Sequence, residues 1–206
     1  MPDFSYESLH WAAGKDSIAG VDEAGRGPLA GPVVAGAAIL ARDFAHPWVN
    51  DSKKLSEKRR EALFEELAED ERVSWAIGIA GVAEIDELNI LGATRVAMAR
   101  AVAGLGATVD FCLVDGLPLR DFPHPHEGVV KGDGKSLSIA VASIFAKVTR
   151  DRIMRDCARE FPHYGFEKHK GYGTKAHLEA LRSQGPCRLH RRSFQPVAQL
   201  ALPLGE

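Results

Sequence analysis

Residues 18–41 read Ile18-Ala-Gly-Val-Asp-Glu-Ala-Gly-Arg-Gly-Pro-Leu-Ala-Gly-Pro-Val-Val-Ala-Gly-Ala-Ala-Ile-Leu-Ala41. Two short apolar runs, 18–22 and 33–41, flank a cluster rich in glycine and proline. Such runs are typical of neighbouring strands joined by a turn. The pair Asp22-Glu23 interrupts the end of the first run, where an ionised carboxylate is costly unless its charge is offset. This stretch therefore predicts two strands of one sheet and an acidic site beside them.

The rest of the chain predicts a mixed α/β sheet flanked by helices, because a third strand follows and helices then alternate with strands. Ser56 opens an amphipathic helix in which Leu63, Phe64 and Leu67 share one face. Asp115 ends an apolar strand, the position at which open α/β sheets place their sites. The remaining predicted elements are strands at 73–80, 111–114 and 128–132 and helices at 91–105, 138–161 and 175–183.

Length and composition indicate one ordinary globular domain. The chain has 206 residues, 45% hydrophobic and 26% charged, which excludes disorder over most of it. The longest apolar stretch, 32–41, is too short for a bilayer, which takes about 20 residues. Three widely spaced cysteines and an N-terminus without a secretory pattern predict a reducing compartment. We expect a cytoplasmic monomer with no membrane contact.

The net charge of −2 conceals an asymmetry between the two halves of the chain. Residues 1–110 carry 11 Lys and Arg against 18 Asp and Glu, whereas residues 111–206 carry 15 against 10. A basic C-terminal half on a nearly neutral protein is typical of a localised site for a polyanion. An uneven but solvated surface explains the same counts, so charge alone leaves both interpretations open.

Several motifs resemble known sites but lack a required feature. Gly134-Lys135-Ser136 is not a P-loop, because the first glycine would have to stand at Val129. The loop 25–31 is one residue too long for a dinucleotide fingerprint, and Pro28 removes an amide donor. His124-Pro-His126-Glu127 predicts a surface loop rather than a transition-metal site. The remaining histidines of the C-terminal half suit phosphate contact or solvation: His163, His169, His177 and His190.

Four acids stand at or near predicted strand ends: Asp22, Glu23, Asp115 and Asp133. If they converge, two Mg²⁺ or Mn²⁺ ions would neutralise them, since hard divalent cations take oxygen ligands. Two such ions can stabilise both the attacking and the leaving oxygen of a phosphodiester. Each acid alone could instead be a turn residue or a strand-end cap. Four together in a chain with a basic half favour the metal site.

Six blocks of sequence resemble bacterial type 2 ribonuclease H (ribonuclease HII), in that family's order. They are 19–34, Asn50-Asp-Ser-Lys-Lys-Leu, Val114-Asp-Gly, Val130-Lys-Gly-Asp, 142–151 and His169-Lys-Gly-Tyr. The resemblance implies a ribonuclease H-like sheet with a helical C-terminal extension. We therefore expect an N-terminal segment at 1–17, a catalytic domain at 18–196 and a tail at 197–206. The family's metal-binding carboxylates fall on the same four acids.

The implied activity is an endonuclease that cuts the RNA strand of RNA–DNA hybrids. It also incises 5′ of a single ribonucleotide in duplex DNA, leaving a 3′-hydroxyl and a 5′-phosphate. The family's Gly-Arg-Gly loop falls on Gly25, Arg26 and Gly27, and its tyrosine on Tyr172. Glycines permit the close backbone approach that reading a 2′-hydroxyl requires. A tight turn and a packing residue are the alternatives for loop and tyrosine.

The resemblance also implies a surface that contacts the nucleic-acid backbone without reading its sequence. The matching positions are Lys53, Lys54, Ser143, Lys147 and Arg150.

The C-terminal tail carries a short motif of its own. Gln199-Leu-Ala-Leu-Pro-Leu204 resembles the peptide by which bacterial replication proteins dock on the sliding clamp, with Gln199, Leu200, Leu202 and Leu204 as its key residues. An apolar tail packed on the body of the protein is the alternative.

Two other functions compete with a metal-dependent endoribonuclease. A catalytically silent hybrid-binding module would gain nothing from concentrated negative charge facing phosphates. A DNA strand-transfer nuclease of the same fold would cut an all-DNA substrate as readily as one containing a ribonucleotide.

Overall fold

A five-stranded sheet with helices on both faces forms the body of the computed structural model, which describes residues 1–49 and 56–200. The strands are β1 (Ile18–Ala24), β2 (Val33–Leu40), β3 (Val73–Ala80), β4 (Phe111–Asp115) and β5 (His126–Val129). They lie in the order β3-β2-β1-β4-β5, antiparallel from β3 to β1 and parallel from β1 to β5. The expected mixed α/β sheet is therefore confirmed.

Side-chain caps mark the starts of two predicted helices. The Ser56 hydroxyl accepts a hydrogen bond from the Arg59 amide, and the Ser136 hydroxyl one from the Ile139 amide. No helix in the described ranges is both long and apolar enough to cross a membrane. The helices are α1 (Ser5–Ala12), α2 (Glu57–Ala68), α3 (Val82–Gly104), α4 (Leu137–Glu160), α5 (Phe166–His169), α6 (Lys175–Gln184) and α7 (Val197–Leu200).

Five elements differ from the sequence predictions. Helix α3 begins at Val82 rather than at 91, with a kink at Asn89, whose φ of 57° breaks the helical pattern. Helices α1, α5 and α7 are additional elements that no sequence pattern indicated. The strand predicted at 128–132 lies at 126–129 instead, because Lys131 turns the chain with a φ of 59°. The prediction of a surface loop at 124–127 is therefore wrong for His126 and Glu127, which belong to β5.

Helix α4 packs directly on the middle of the sheet. A Cβ added at Gly20 would lie 2.1 Å from the Ser138 carbonyl carbon, and one at Gly36 would lie 2.3 Å from the Ala142 oxygen. Only glycine permits this approach of helix backbone to strand. Gly36 is also the register partner of Asp22. The packing therefore places the Ala142–Ser143 step of α4 beside the acidic end of β1.

The core has two layers, one on each face of the sheet. On one face α2 and α4 cover β2 and β3, with Leu63, Leu67 and Phe145 fully buried. On the other face α3 covers β3, β2 and β1, and its buried side chains share a cluster with Cys112 and Val114 of β4. Because side chains alternate along a strand, Val21 enters the α3 layer while Asp22 points to the α4 side. This alternation brings the carboxylate of Asp22 towards α4.

Candidate active site

Asp22 and Asp115 lie side by side on neighbouring parallel strands. Strands β1 and β4 pair with Val21 opposite Val114, and the two aspartates are the next residues along. Asp22 is 5% exposed, and the Ser143 hydroxyl of α4 hydrogen-bonds to its carboxylate. Equivalent positions on parallel strands project from the same face of a sheet. The strand register thus brings together two acids that are 93 residues apart.

Negative charge is concentrated at this end of the sheet. Burial raises the pKa of Asp22 well above its ordinary value, and the neighbouring charges of Glu23 and Asp115 raise it further. Burial also raises the pKa of Glu23, against the opposing effect of Arg26, whose Nη1 donates to Glu23 Oε1 at 3.0 Å. Three carboxylates therefore interact electrostatically, and a bound cation would relieve their repulsion.

Asp133 lies on the 3-10 turn at 132–134, which is anchored beside Asp115. The amide of Gly132 donates to Asp115 Oδ1 at 2.6 Å, and Asp133 itself is 4% exposed. The buried Glu7 of α1 holds the next part of the chain by accepting hydrogen bonds from Ser136 and Ser138. Asp133 therefore follows directly after Gly132, the residue whose amide contacts Asp115.

The donor set fits a divalent cation in charge and chemistry, since carboxylate oxygens are the ligands that Mg²⁺ and Mn²⁺ prefer. In the conformation described for 1–49 and 56–200, however, no group of three or more His, Cys, Asp or Glu side chains is arranged to hold a metal ion. Oxygens of Asp22, Glu23 and Asp115 accept hydrogen bonds from the protein instead. Joint ligation of one ion by three acids therefore requires some of these side chains to turn.

A cavity of about 370 Å³ opens directly over the acids. Three of the four predicted acids line this cavity together with the predicted glycine loop and tyrosine. Asp133 is not among the described residues that line it. The lining residues are Asp22, Glu23, Ala24, Gly25, Arg26, Gly27, Asp115, Ser143, Lys147, Arg150 and Tyr172.

The Gly25-Arg26-Gly27 loop forms one wall of the cavity. Gly25 has a φ of +101°, and a Cβ there would lie 2.0 Å from Nε of Arg150, so glycine is required. A Cβ at Gly27 would lie 3.7 Å from the Tyr172 ring. The loop and the tyrosine are thus close neighbours, although 145 residues separate Gly27 from Tyr172 in the chain.

Arg191, which no sequence pattern indicated, holds this loop on the side of the protein interior. It is fully buried, and its guanidinium donates to the carbonyls of Gly25, Arg26, Gly31 and Pro32 at 2.6–3.3 Å. Five donors on a planar fork suit such a set of acceptors. No local pattern in the sequence distinguishes Arg191 from the exposed Arg192 beside it.

Arg150 of α4 holds the residues that follow this loop and the turn before Tyr172. Its side chain is 1% exposed and donates to the carbonyls of Ala30, Pro32 and Lys170. The resemblance implies a backbone-phosphate contact here, but the described donors of Arg150 contact the protein. We therefore propose that Arg150 positions the loop rather than gripping a phosphate.

The other predicted backbone contacts differ in position. Lys147 lines the cavity, and its ammonium pairs with Asp151 at 2.7 Å. Ser143 contacts Asp22, as described above. Lys53 and Lys54 lie outside the described residues, so their predicted role stays a prediction.

Two of the predicted phosphate-binding or solvated histidines are buried instead. His177 is 0% exposed and His190 is 1% exposed, and they contact each other behind the Tyr172 turn. The expectation of surface histidines was wrong for this pair because the C-terminal helices enclose them. Neighbouring Lys and Arg residues in the sequence gave no signal of that burial.

The clamp-like motif is described only in part. Gln199 and Leu200 lie at and beside the end of α7, where they line a small cavity of about 140 Å³ with Leu178 and Leu181 of α6. Leu202 and Leu204 lie outside the described residues.

Comparison with known proteins identifies the family. The family description "Ribonuclease HII" matches residues 19–197. Ribonuclease HII of Chlamydia trachomatis serovar L2 is 56% identical over 196 residues, which cover 94% of this chain and 89% of that protein. The crystal structure of ribonuclease H2 from Pyrococcus horikoshii is similar with a TM-score of 0.75 and 25% identity, over 90% of this chain and 97% of that one.

A second solved structure has the same fold at lower identity. The ribonuclease HII of Archaeoglobus fulgidus, in a complex with PCNA, gives a TM-score of 0.72 at 24% identity over 87% of this chain and 96% of that one. Together with the sheet order and helices described above, these matches establish the fold. The chain belongs to the ribonuclease HII family and is a metal-dependent endoribonuclease with the ribonuclease H fold.

Proposed function

We propose that the enzyme, which acts on RNA–DNA hybrids as its family does, also incises duplex DNA on the 5′ side of a single embedded ribonucleotide. The products would carry a 3′-hydroxyl and a 5′-phosphate. One observation carries the proposal: a single cavity is lined both by acids suited to a divalent cation and by the Gly25–Gly27 loop and Tyr172. Cleavage chemistry and sugar selection would thus share one site.

We assign the metal-holding role to Asp22, Glu23, Asp115 and Asp133, with two Mn²⁺ or Mg²⁺ ions in the active complex. When bound, the cations supply a Lewis acid that stabilises charge on the phosphate and lowers the pKa of a water molecule. Ser143 orients the Asp22 carboxylate by its hydrogen bond. Lys147, at the cavity wall, adds positive charge for a phosphate of the substrate.

Sugar selection is assigned to the glycine loop and the tyrosine that line the same cavity. The 2′-hydroxyl is both donor and acceptor, and it distinguishes RNA from DNA at a given site. Backbone groups of Gly25 and Gly27 can approach it closely because neither residue carries a Cβ. Tyr172, 46% exposed and next to Gly27, presents a hydroxyl and a ring to the same space.

Cleavage mapping on three matched duplexes tests this function. They carry zero, one or four consecutive ribonucleotides in one strand and are incubated with Mn²⁺ or Mg²⁺ in turn. We expect no cleavage of the all-DNA duplex, and a cut on the 5′ side of the lone ribonucleotide that leaves a 3′-hydroxyl end. Equal cleavage of the all-DNA duplex would favour a strand-transfer type of nuclease. Binding without any cleavage would favour a silent hybrid-binding module.

We also propose that the segment 199–204 docks on a replication sliding clamp and so tethers the enzyme to replicated DNA. The support is the order Gln-Leu-x-Leu-x-Leu at the C-terminal end of the chain. Short apolar peptides of this kind bind through a few side chains seated in pockets of the partner. The archaeal protein in complex with PCNA has the same fold.

The double variant Leu202→Ala/Leu204→Ala is expected to bind purified bacterial sliding clamp at least about tenfold more weakly, because two buried anchors are each worth 1 kcal/mol or more. Surface plasmon resonance measures the affinity. The matched control removes only Gly205 and Glu206, which stand outside the motif, and is expected to bind as the full chain does. Unchanged affinity of the double variant would refute the clamp proposal without touching the nuclease assignment.

A further inference from the structure

A chain of buried polar groups runs behind the Tyr172 turn. His177 and His190 are 0% and 1% exposed, and their Nε2 atoms lie 3.0 Å apart. Nδ1 of His177 lies 2.9 Å from the Tyr172 carbonyl oxygen. Nδ1 of His190 lies 3.0 Å from the Cys187 amide nitrogen. One continuous series of hydrogen bonds therefore links Cys187, near the end of the catalytic domain, to Tyr172 in the cavity wall.

The groups at the two ends of this hydrogen-bonded series determine which nitrogen of each histidine ring carries a proton. The Tyr172 carbonyl can only accept, so Nδ1 of His177 carries a proton and its Nε2 is bare. The Cys187 amide can only donate, so Nδ1 of His190 is bare and its Nε2 carries the proton. His190 Nε2–H therefore donates to His177 Nε2, the one arrangement in which two neutral rings satisfy every bond. Burial lowers the pKa of both histidines, that of His190 to about 4, which agrees with neutral rings.

The backbone of the turn that carries Tyr172 is held by this series of hydrogen bonds and by further hydrogen bonds to nearby residues. Its carbonyl also accepts from the Thr174 amide at 2.8 Å, and its own amide donates to the His169 carbonyl at 2.9 Å. The His169 ring stacks on His177 with centroids 4.4 Å apart. The residues that make these contacts, His169, Thr174 and His177, do not line the cavity. They position Tyr172 without occupying the space in which a ribose would lie.

We propose that His177, oriented by His190, is a positioning residue that sets the placement of Tyr172 and thereby the rate of cleavage at a ribonucleotide. The inference rests on the proposed role of Tyr172 in sugar selection. It adds two residues that do not line the cavity and that act only through the Tyr172 backbone.

Two isosteric substitutions separate the two nitrogens of His177. In His177→Asn the amide nitrogen takes the place of Nδ1, so the bond to Tyr172 is kept while the bond to His190 is lost. In His177→Gln the amide takes the place of Nε2, so the bond to His190 is kept while the bond to Tyr172 is lost. Each variant loses one buried hydrogen bond, which makes their costs in folding stability comparable.

The measurement is the single-turnover cleavage rate on a duplex with one ribonucleotide, with the dissociation constant of the duplex determined separately. We expect His177→Gln to lower the cleavage rate roughly tenfold with the dissociation constant unchanged. His177→Asn, which keeps the bond to Tyr172, should retain most of the wild-type cleavage rate. In a Tyr172→Phe background, His177→Gln should cost less than about twofold, because residues that act through one another are not additive. Long-range ¹⁵N–¹H spectra of the unmodified enzyme should report the proton on Nδ1 of His177 and on Nε2 of His190.

Equal losses for the Asn and Gln variants, full additivity with Tyr172→Phe, or the opposite tautomers would each overturn the inference. A different result distinguishes failure of the underlying function. If Tyr172→Phe itself leaves the cleavage rate unchanged, the proposed role of the tyrosine is wrong, whatever the histidine variants do.

Discussion

Asp22→Asn is expected to abolish cleavage of a duplex with one ribonucleotide and, at the same time, to raise the melting temperature of the metal-free enzyme. Loss of a carboxylate that holds the cation should reduce the cleavage rate by a factor of about 10³ or more, as loss of a central transition-state contact does elsewhere. The stability gain follows because Asp22 is buried beside Glu23 and Asp115, and both burial and those charges raise its pKa. The neutral amide removes that repulsion at similar volume.

The pH dependence of this gain has a definite sign. An Asp whose pKa is higher in the folded than in the unfolded state lowers the free energy of unfolding once the pH exceeds its unfolded-state pKa. In that range the unfolded chain has lost the proton that the folded protein still holds, so rising pH favours unfolding. The wild-type enzyme therefore loses stability relative to Asp22→Asn as the pH rises from about 4, the ordinary value of an Asp, towards the raised pKa. At more acid pH the two melting temperatures should approach each other.

Differential scanning calorimetry with and without Mn²⁺ checks both statements. Mn²⁺ should raise the melting temperature of the wild type and have little effect on Asp22→Asn, because ligand binding stabilises only a fold that binds it. Asp156→Asn on the exposed face of α4 is the matched control, with a side chain 70% exposed. An Asp22→Asn enzyme that cleaves at the wild-type rate would refute the assigned chemistry.

Arg191→Lys is expected to destabilise the fold by about 3 kcal/mol, since a lysine cannot reach all four carbonyls that the guanidinium contacts and unsatisfied buried groups cost about 1–3 kcal/mol each. For a chain of this size that corresponds to roughly a 10 °C fall in melting temperature. Because those carbonyls belong to Gly25, Arg26, Gly31 and Pro32, the loop that forms the cavity wall loses its support. Cleavage at a single ribonucleotide should therefore fall as well.

Thermal unfolding and the cleavage rate, each measured well below the melting temperature, test this prediction. The exposed neighbour offers a control of the same chemistry: Arg192→Lys should change the melting temperature by no more than about 1–2 °C, as surface substitutions rarely exceed 0.5 kcal/mol. If the two variants prove equally stable and equally active, Arg191 does not hold the loop.

Much of the fold could be predicted because its signals are local. Strand β3 lies at 73–80 as predicted, and Ser56 caps α2 as its position before an amphipathic run suggested. The acids were detectable for a similar reason, since a charge that ends an apolar strand is conspicuous in sequence. The pairing of β1 with β4 then places Asp22 next to Asp115.

The residues that hold the site in place could not be predicted, because their hydrogen bonds join positions far apart in the sequence. Arg191 contacts carbonyls about 160 residues away in the chain, and His190 acts on Tyr172 through a second histidine. Nothing in the residues around Arg191 indicates burial, and an arginine is rarely buried without a partner. Arg150 illustrates the same limit: family position indicated a nucleic-acid contact, whereas packing of α4 against the loop determines its actual hydrogen bonds.

A crystal of the enzyme grown with Mn²⁺ and a hybrid duplex that resists cleavage tests the central claim most directly. Anomalous scattering at the manganese edge locates the ions independently of the protein coordinates. We expect two manganese ions ligated by Asp22, Glu23, Asp115 and Asp133, with these side chains turned away from their present hydrogen bonds and towards the ions. Manganese bound elsewhere, or coordinated without Asp22 and Asp115, would contradict it.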